Sequence, residues 1–594
     1  MKNKKEKKKS KTRLMKFLKG LWIASVIGSL GMVLEAACQL YLPKLMGKII
    51  DNGVTPVINE TMSAADGRAY VLKEAVIMIL VSLIAIVGGI TCMKLSSEVS
   101  QKFAARIRSA MFRKISSFSF KNIDEFSTAS LTTRLTNDVT MIQNMTMMIL
   151  RMLIRMPSML IVASFFAVSI NPRLASMLLF ALPLIIIAVG VVMKFGFPMF
   201  KKMQKKIDAL NSVVQENLIG IRVVKAFVRE DHEKKKFKKA NDDLSAMGEK
   251  AAGMIILAMP LMMLIFNLTM VMVIYKGGVS INAGDMTTGD LLSFISYVME
   301  ILMSLMMIAM LLVMVARGKA CADRIKEVLD AEVDIVNNEK TLTAEKHGRV
   351  QFENVNFRYS TQTDGDDILN GISFIAEPGQ IIGIVGGTGC GKSSLVSLIP
   401  RLYDVTGGRV LIDDVDVRNY DIEELRELIG VVLQNNVLFT GTIKENIRWG
   451  KKDATDEEII AACKAAQAHD FIMRQPDGYD TVLAQGGLNL SGGQKQRLCI
   501  ARAMIKKPKI LILDDSTSAV DTATEAKIRN AFYNELKDTT VFIIAQRISS
   551  VKEADEILVM DDGEIKGVGN HNELMETNEI YQEIYNTQQK GVIE

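Results

Sequence analysis

Long apolar runs fill the first half of the 594-residue chain and end near residue 317. Beyond residue 349, short β-branched runs alternate with polar, glycine-rich stretches. A bilayer core of roughly 30 Å needs about 20 apolar residues per helix. Six segments meet or approach that length: 21–46, 75–93, 152–170, 174–193, 251–275 and 291–316. Two of them, 174–193 and 251–275, contain no charged residue, which is unusual for a buried helix of a soluble protein. The pattern predicts an all-α six-helix transmembrane domain over 21–320, a polar linker over 321–349 and an α/β domain with a parallel sheet over 350–594.

The connections alternate in character. Segments 1 and 2 are joined by about 28 residues, segments 3 and 4 by the tight Asn171-Pro172-Arg173, and segments 5 and 6 by a short loop with little net charge. The connections 94–151 and 194–250 are long and rich in Lys and Arg. Their apolar residues recur at i, i+4 steps (Val99, Phe103, Ile107, Met111, Ile115), so they read as helices extending the membrane spans into the cytoplasm. Turns are expected at Asn122–Thr128 and at 217–220. Residues 2–19 hold ten Lys or Arg against one acid, Glu6, immediately before the first apolar run. A basic run in that place follows the positive-inside rule rather than a nucleic-acid contact, and no nucleic-acid partner is expected. Residues 1–20 then form a basic cytoplasmic N-terminus, not a cleavable signal, on a multi-pass protein of the cytoplasmic membrane with the lipid bilayer as its surroundings.

Composition adds little to this picture. Six scattered Cys without CxxC spacing and four His argue against disulfides and against thiolate or His metal sites. The 37 Met, mostly in the first half, are hydrophobic filling or the lining of an adaptable cavity.

The chemistry lies in the second half. The apolar run 381–385 precedes Gly386-Gly387-Thr388-Gly389-Cys390-Gly391-Lys392-Ser393, and a helix is expected from Ser394. This GxxxxGKS in a strand–loop–helix setting is a phosphate-binding loop, which makes the second domain an α/β P-loop nucleotide-binding domain. Its glycines let backbone N–H groups curl around phosphates, and the helix N-terminus favours negative charge. Lys392 would contact the β- and γ-phosphates and Ser393 the Mg²⁺. The apolar strand 510–513 ends in Asp514, the acid expected to orient Mg²⁺ and its waters. Between these motifs, Leu490-Ser491-Gly492-Gly493-Gln494 opens a further helix, and its N-terminus is a second anion site that the same nucleotide cannot use.

This order of motifs resembles the ATP-binding-cassette family, in which LSGGQ of one domain closes over ATP held by another. The resemblance covers nearly the whole chain. It implies that Tyr359 stacks on adenine, that Gln434 contacts Mg²⁺ and couples the domains, and that 518–521 (SAVD) is the D-loop. It also likens 127–139 and 216–230 to the cytoplasmic coupling segments of exporters. Because importers of this superfamily usually place membrane and cassette parts on separate chains, the fusion implies an exporter, with ATP and Mg²⁺ as cofactors and a small hydrophobic substrate.

Three positions depart from the family pattern. Asp515 stands where the family has its catalytic Glu, Gln546 where it has the switch His, and Gln485 where it has an acid before the signature. Asp515 is one methylene short, which withdraws the carboxylate by about 1 Å, and misplacement on that scale costs about 10²-fold. Gln546 can hydrogen-bond a phosphate but cannot carry a proton. Each could be a tolerated variant in a working site. Together they predict a degenerate ATP site on this chain's Walker motifs and an intact LSGGQ that completes the consensus site of a second, non-identical half-transporter. An alternative is a regulatory subunit that binds ATP and gates a partner without transporting. Among intramembrane charges, Glu300 and Glu35 are candidate substrate-cavity residues beside Arg151 and Arg155.

Overall fold

The computed structural model describes residues 13–338, 342, 346–359, 367–516 and 520–593. Most of the polar tract 339–345, and Ser518 and Ala519 of the D-loop motif, lie outside the described residues.

Among the described residues up to Asp330, the helices include α1 (Trp22–Ile49), α2 (Ala64–Ser116), α3 (Phe120–Phe126), α4 (Val139–Met148), α5 (Ile154–Ile170), α6 (Leu178–Ile219), α7 (Ile221–Ala226), α8 (Glu230–Asn282) and α9 (Thr288–Asp330). The chain divides into two compact units, 13–116 with 129–330 and 117–128 with 331–593.

In the first unit, among the described residues, five helices are long and apolar enough to cross a membrane. The expected span 174–193 corresponds instead to a shorter apolar stretch, Pro172–Ala188, broken by a turn at Ser176–Met177 before α6 begins. Lipid supplies no hydrophobic drive for helix association, so close backbone approach at small residues takes its place. A Cβ on Gly31 would lie 2.8 Å from the carbonyl of Gly88, and one on Gly289 would lie 2.2 Å from that of Gly47, which locates the tight α1–α2 and α1–α9 crossings.

Several expected boundaries shift. The first span continues past residue 46 to Ile49 and into a π-turn at Ile50–Val54. The expected linker from 321 is still helix up to Asp330. The reason is a pair of contacts: Arg324 forks onto Asp138 at 2.5 and 2.7 Å, and Arg134 pairs with Glu327 at 2.7 Å, pinning α9 to the π-turn Arg134–Asp138. The expected turn at 122–128 is largely helix α3. Ser119 and Asn122 cap each other reciprocally, so the small polar residues start a helix here. The stretch 217–220 is helical to Ile219 and breaks at Gly220.

Among its described residues the second unit contains twelve strands: β1 (Val350–Phe357), β2 (Leu369–Ala376), β3 (Ile381–Gly386), β4 (Gly407–Ile412), β5 (Val415–Asp416), β6 (Ile429–Val432), β7 (Gly441–Thr442), β8 (Val482–Leu483), β9 (Ile510–Asp514), β10 (Thr540–Ile544), β11 (Glu556–Asp561) and β12 (Glu564–Gly569). One sheet runs β12-β11-β3-β10-β9-β6, parallel from β11 to β6, and a second, antiparallel sheet runs β2-β1-β4-β5. β9 and β10 are buried along their whole length, which is why they read as unbroken apolar runs. The helices that matter for the site are α10 (Lys392–Leu398), α11 (Gly492–Met504) and α12 (Glu579–Ile593).

Helix α3 belongs to this unit. Ser119 Oγ donates to Asp334 Oδ1 at 2.5 Å, Asn122 Nδ2 to the carbonyl of Glu332 at 3.0 Å, and Tyr403 Oη to Asp124 Oδ2 at 2.8 Å.

Candidate functional site

Four neighbouring parallel strands deliver the site residues to one edge. Gly386 ends β3, Gln546 lies two residues beyond β10, Asp514 ends β9 with Asp515 next to it, and Gln434 lies two residues beyond β6. Carboxyl ends of parallel strands are where open α/β sheets bind ligands.

The loop from Gly387 to Gly391 is built for close approach. Gly386, Gly389 and Gly391 take positive φ values of 149°, 88° and 95°. A Cβ on Gly386 would lie 2.1 Å from the carbonyl of Met560, and one on Gly391 2.7 Å from Leu369. Gly387 and Gly389 instead face open space, the side on which a phosphate chain fits. Thr388 and the buried Cys390 complete the loop. Helix α10 begins at Lys392, two residues before Ser394, and no side chain caps its N-terminus. Lys392 curls over the loop, donating to the carbonyls of Gly386 at 2.9 Å and Gly387 at 2.6 Å.

Ser393 Oγ donates to Asp514 Oδ1 at 3.0 Å, so the two expected Mg²⁺ ligands meet although 121 residues separate them. Asp514 is 7% exposed. Burial pushes its carboxyl above the usual carboxylate range, the Ser393 hydrogen bond acts against that, and the neighbouring Asp515 raises it further. The Ser393 hydroxyl and the Asp514 carboxyl that meet here are hard oxygen donors, so the donor set fits Mg²⁺. Burial also raises Asp515, against the amides of Gln434 and Gln546. Gln546 Nε2 donates to Asp515 Oδ2 at 2.8 Å, which joins two of the three departing positions directly. Asp515 itself adopts φ 48°.

Tyr359 is partly exposed beyond β1. Its hydroxyl lies 2.8 Å from that of Ser394, and its ring meets Tyr403 edge-on at 5.1 Å. Ser491 caps α11 with Gln494 in a reciprocal capping box. Ser491, Gly492, Gly493, Arg497, Val520 and Asp521 line a depression of about 410 Å³. None of the phosphate-loop residues lines it.

In the first unit, Glu35 and Glu300 are linked by residues that the sequence reading passed over or left without a role. Arg155 lies 3.5 Å from Glu35 and donates to Gln39 at 2.7 Å, and Gln39 donates to Glu300 at 3.3 Å. Arg151 bonds instead to Ser96 and to the carbonyl of Met93. Gln39 was the missed member, and a polar residue one turn from Glu35 inside an apolar run was the available signal. Tyr403, between Tyr359 and α3, was also missed, and nothing in its local sequence marks it.

Residues 25–306 match the family described as ABC transporter transmembrane region, and 369–518 match ABC transporter. The chain belongs to the ABC transporter family: it is a membrane-spanning exporter with an ATP-binding domain in the same polypeptide, and ATP hydrolysis is coupled to transport. It is 40% identical over 576 residues to the uncharacterised ABC transporter ATP-binding protein YfiB of Bacillus subtilis (strain 168), covering 97% of this chain and 98% of that one. A fatty acid ABC transporter ATP-binding/permease protein of Mycobacterium bovis is 35% identical over 481 residues, covering 81% of this chain and 76% of that one. A solved bacterial Atm1-family ABC exporter with ATP bound superposes with a TM-score of 0.80 at 27% identity, covering 96% of this chain and 99% of that one.

Proposed function

We propose that this chain is one subunit of a heterodimeric exporter of hydrophobic or amphipathic small molecules. Its Walker side forms a degenerate ATP site, and its LSGGQ completes the consensus site of a non-identical partner. The observation that carries this reading is the Asp515–Gln546 contact at 2.8 Å. At the position of the general base, a shortened carboxylate is held by an amide that can neither accept nor relay a proton. The signature is unaltered: Ser491, Gly492, Gly493 and Gln494 form an ordered helix start beside an open depression.

In this reading Lys392 and the loop amides hold the phosphates of ATP, Tyr359 supports the base, and Ser393, Asp514 and Gln434 hold Mg²⁺, which when bound neutralises phosphate charge. Gln546 faces the terminal phosphate. Domains are assigned as a basic N-terminus over 1–20, a membrane domain from 21 to the end of α9 at Asp330, in which the shorter apolar stretch Pro172–Ala188 serves as the sixth span, a linker over 331–349 and the cassette over 350–594. The N-terminus and cassette are placed in the cytoplasm by the Lys and Arg content of 2–19 and of the two long connections. The fatty-acid assignment of the Mycobacterium relative supports an amphipathic substrate, and the Glu35–Arg155–Gln39–Glu300 chain gives a cavity polar groups to recognise its head.

The test is ATPase activity of the full-length chain alone and co-expressed with a candidate second half-transporter. The chain alone is expected to turn over at no more than a few per cent of the pair, in line with loss of a well-placed base. Robust turnover by the chain alone, with a single species confirmed by mass, overturns the heterodimer reading.

A further inference from the structure

We infer that Gln588, on the C-terminal helix α12, is a positioning residue for Gln546 and so sets how strongly the site distinguishes ATP from ADP. The inference rests on the reading above, that Gln546 faces the terminal phosphate.

The geometry is a two-point clamp. Gln588 Nε2 donates to the carbonyl of Gln546 at 2.7 Å, and Gln588 Oε1 accepts from the amide N–H of Ile548 at 2.9 Å. One side-chain amide therefore holds the two backbone groups that flank Arg547. A residue on a neighbouring parallel strand engages its partner in the same way, bonding to the C=O before and the N–H after the residue it faces. Strand β10 ends at Ile544, and Arg547 is still extended at φ −100° and ψ 127°. The Gln588 amide thus replaces a missing strand where β10 leaves the sheet, and one of its two bonds is to the carbonyl of Gln546, whose side chain reaches Asp515.

Helix α12 is a firm anchor for such a clamp. Tyr581 is fully buried, its hydroxyl lies 2.9 Å from His571 Nδ1, and Ile580, Ile584 and Tyr585 pack against the hydrophobic core. Its first turn is tied by the Tyr581 N–H to Asn578 Oδ1 at 2.9 Å. The contact to Asp515 is made by Gln546 Nε2, so a shift of the Gln546 backbone moves the amide that would meet the γ-phosphate. Loss of the clamp leaves the phosphate loop, Asp514 and Lys392 where they are. Its effect is therefore confined to the last phosphate, which ADP lacks.

The experiment measures ATP and ADP affinity of the full-length chain for the native protein, Gln588→Met, Gln588→Glu and Gln546→Ala, together with the thermal midpoint of each. Gln588→Met keeps size and helix propensity but removes both hydrogen bonds. It is expected to lower the ATP-over-ADP preference about fivefold, the scale of one or two hydrogen bonds, with ADP affinity unchanged. Gln588→Glu keeps the bond from Ile548 but sets a carboxylate oxygen against the Gln546 carbonyl, and is expected to lower the preference at least as much as Gln588→Met. It also carries the test if the Met variant does not fold. Gln546→Ala is expected to match or exceed Gln588→Met. A preference unchanged in Gln588→Met but lowered in Gln546→Ala overturns the clamp and leaves the site reading intact. A preference unchanged in both overturns the assignment of Gln546 to the terminal phosphate and the clamp with it. Equal losses of ATP and ADP affinity in Gln588→Met show a purely structural role and also overturn the proposal.

Discussion

Two helix N-termini in the cassette unit are built in opposite ways. Helix α10 follows a left-handed Gly391 and has no side-chain cap, so the loop before it presents backbone donors outward. Helix α11 is closed on itself by the Ser491–Gln494 capping box. The first is open to an anion from its own chain's side. In the second, the N–H groups of Ser491 and Gln494 are taken up by the box. A polar ligand presented across the signature surface would compete with that cap, which suits a surface that engages nucleotide only when a partner brings it. Of the three departures from the family pattern, Asp515 and Gln546 lie at the strand ends beside the first, Gln485 lies six residues before Ser491, and the signature residues themselves are unaltered.

That contrast is broken most severely from the partner's side. In the assembled pair, Glu→Gln at the partner's catalytic-base position is expected to lower ATPase activity by at least about 10²-fold. Ser491→Ala or Gly493→Val in this chain should follow at about 10- to 100-fold, because donors aimed at developing phosphate charge are lost or blocked. If these signature variants retain native turnover, the consensus site is not closed by this chain.

Lys392→Ala is expected to weaken ATP binding to the full-length chain about tenfold, since a cation facing phosphate oxygens is removed. Unchanged equilibrium binding would place the nucleotide elsewhere. Asp515→Asn should change turnover of the pair by less than about twofold, far below the effect of removing a working base. A loss as large as that of the partner's variant means both sites turn over.

The smallest effect concerns stability. Burial raises the Asp515 pKa, so its contribution to stability is fully present below the unfolded-state pKa and is lost as pH rises through the folded-state value. At neutral pH the ionised carboxylate is therefore destabilising. Asp515→Asn should raise the thermal midpoint of the nucleotide-free protein by about 2 °C. The difference should narrow as pH is lowered into the carboxylate range, and a midpoint that falls instead would show that the ionised Asp515 is stabilising.

Much of the site was legible in the sequence because its parts are local. The phosphate loop announces itself through glycines at positions that need positive φ, and β9 through five consecutive buried residues ending in an acid. The signature is a capping box written within four residues. Boundaries were less legible where a distant contact decides them. Arg324 and Asp138, 186 residues apart, keep α9 helical past the expected domain end, and reciprocal capping by Ser119 and Asn122 turns an expected loop into α3.

Hydrophobic period and glycine spacing alone determined that this chain has membrane-spanning helices followed by a phosphate-binding α/β domain, because burial and backbone geometry leave their mark within a few residues. Only the tertiary structure decided which polar groups meet. Gln39 joins Glu300 across 261 positions, Tyr403 lies between Tyr359 and α3, and Gln588 holds the backbone of Gln546. Tyr403 and Gln588 carry no mark in their own stretches of sequence, and Gln39 only that it is polar within an apolar run. A hydrogen bond between distant residues depends on where packing brings two elements together, and local sequence carries no record of that distance.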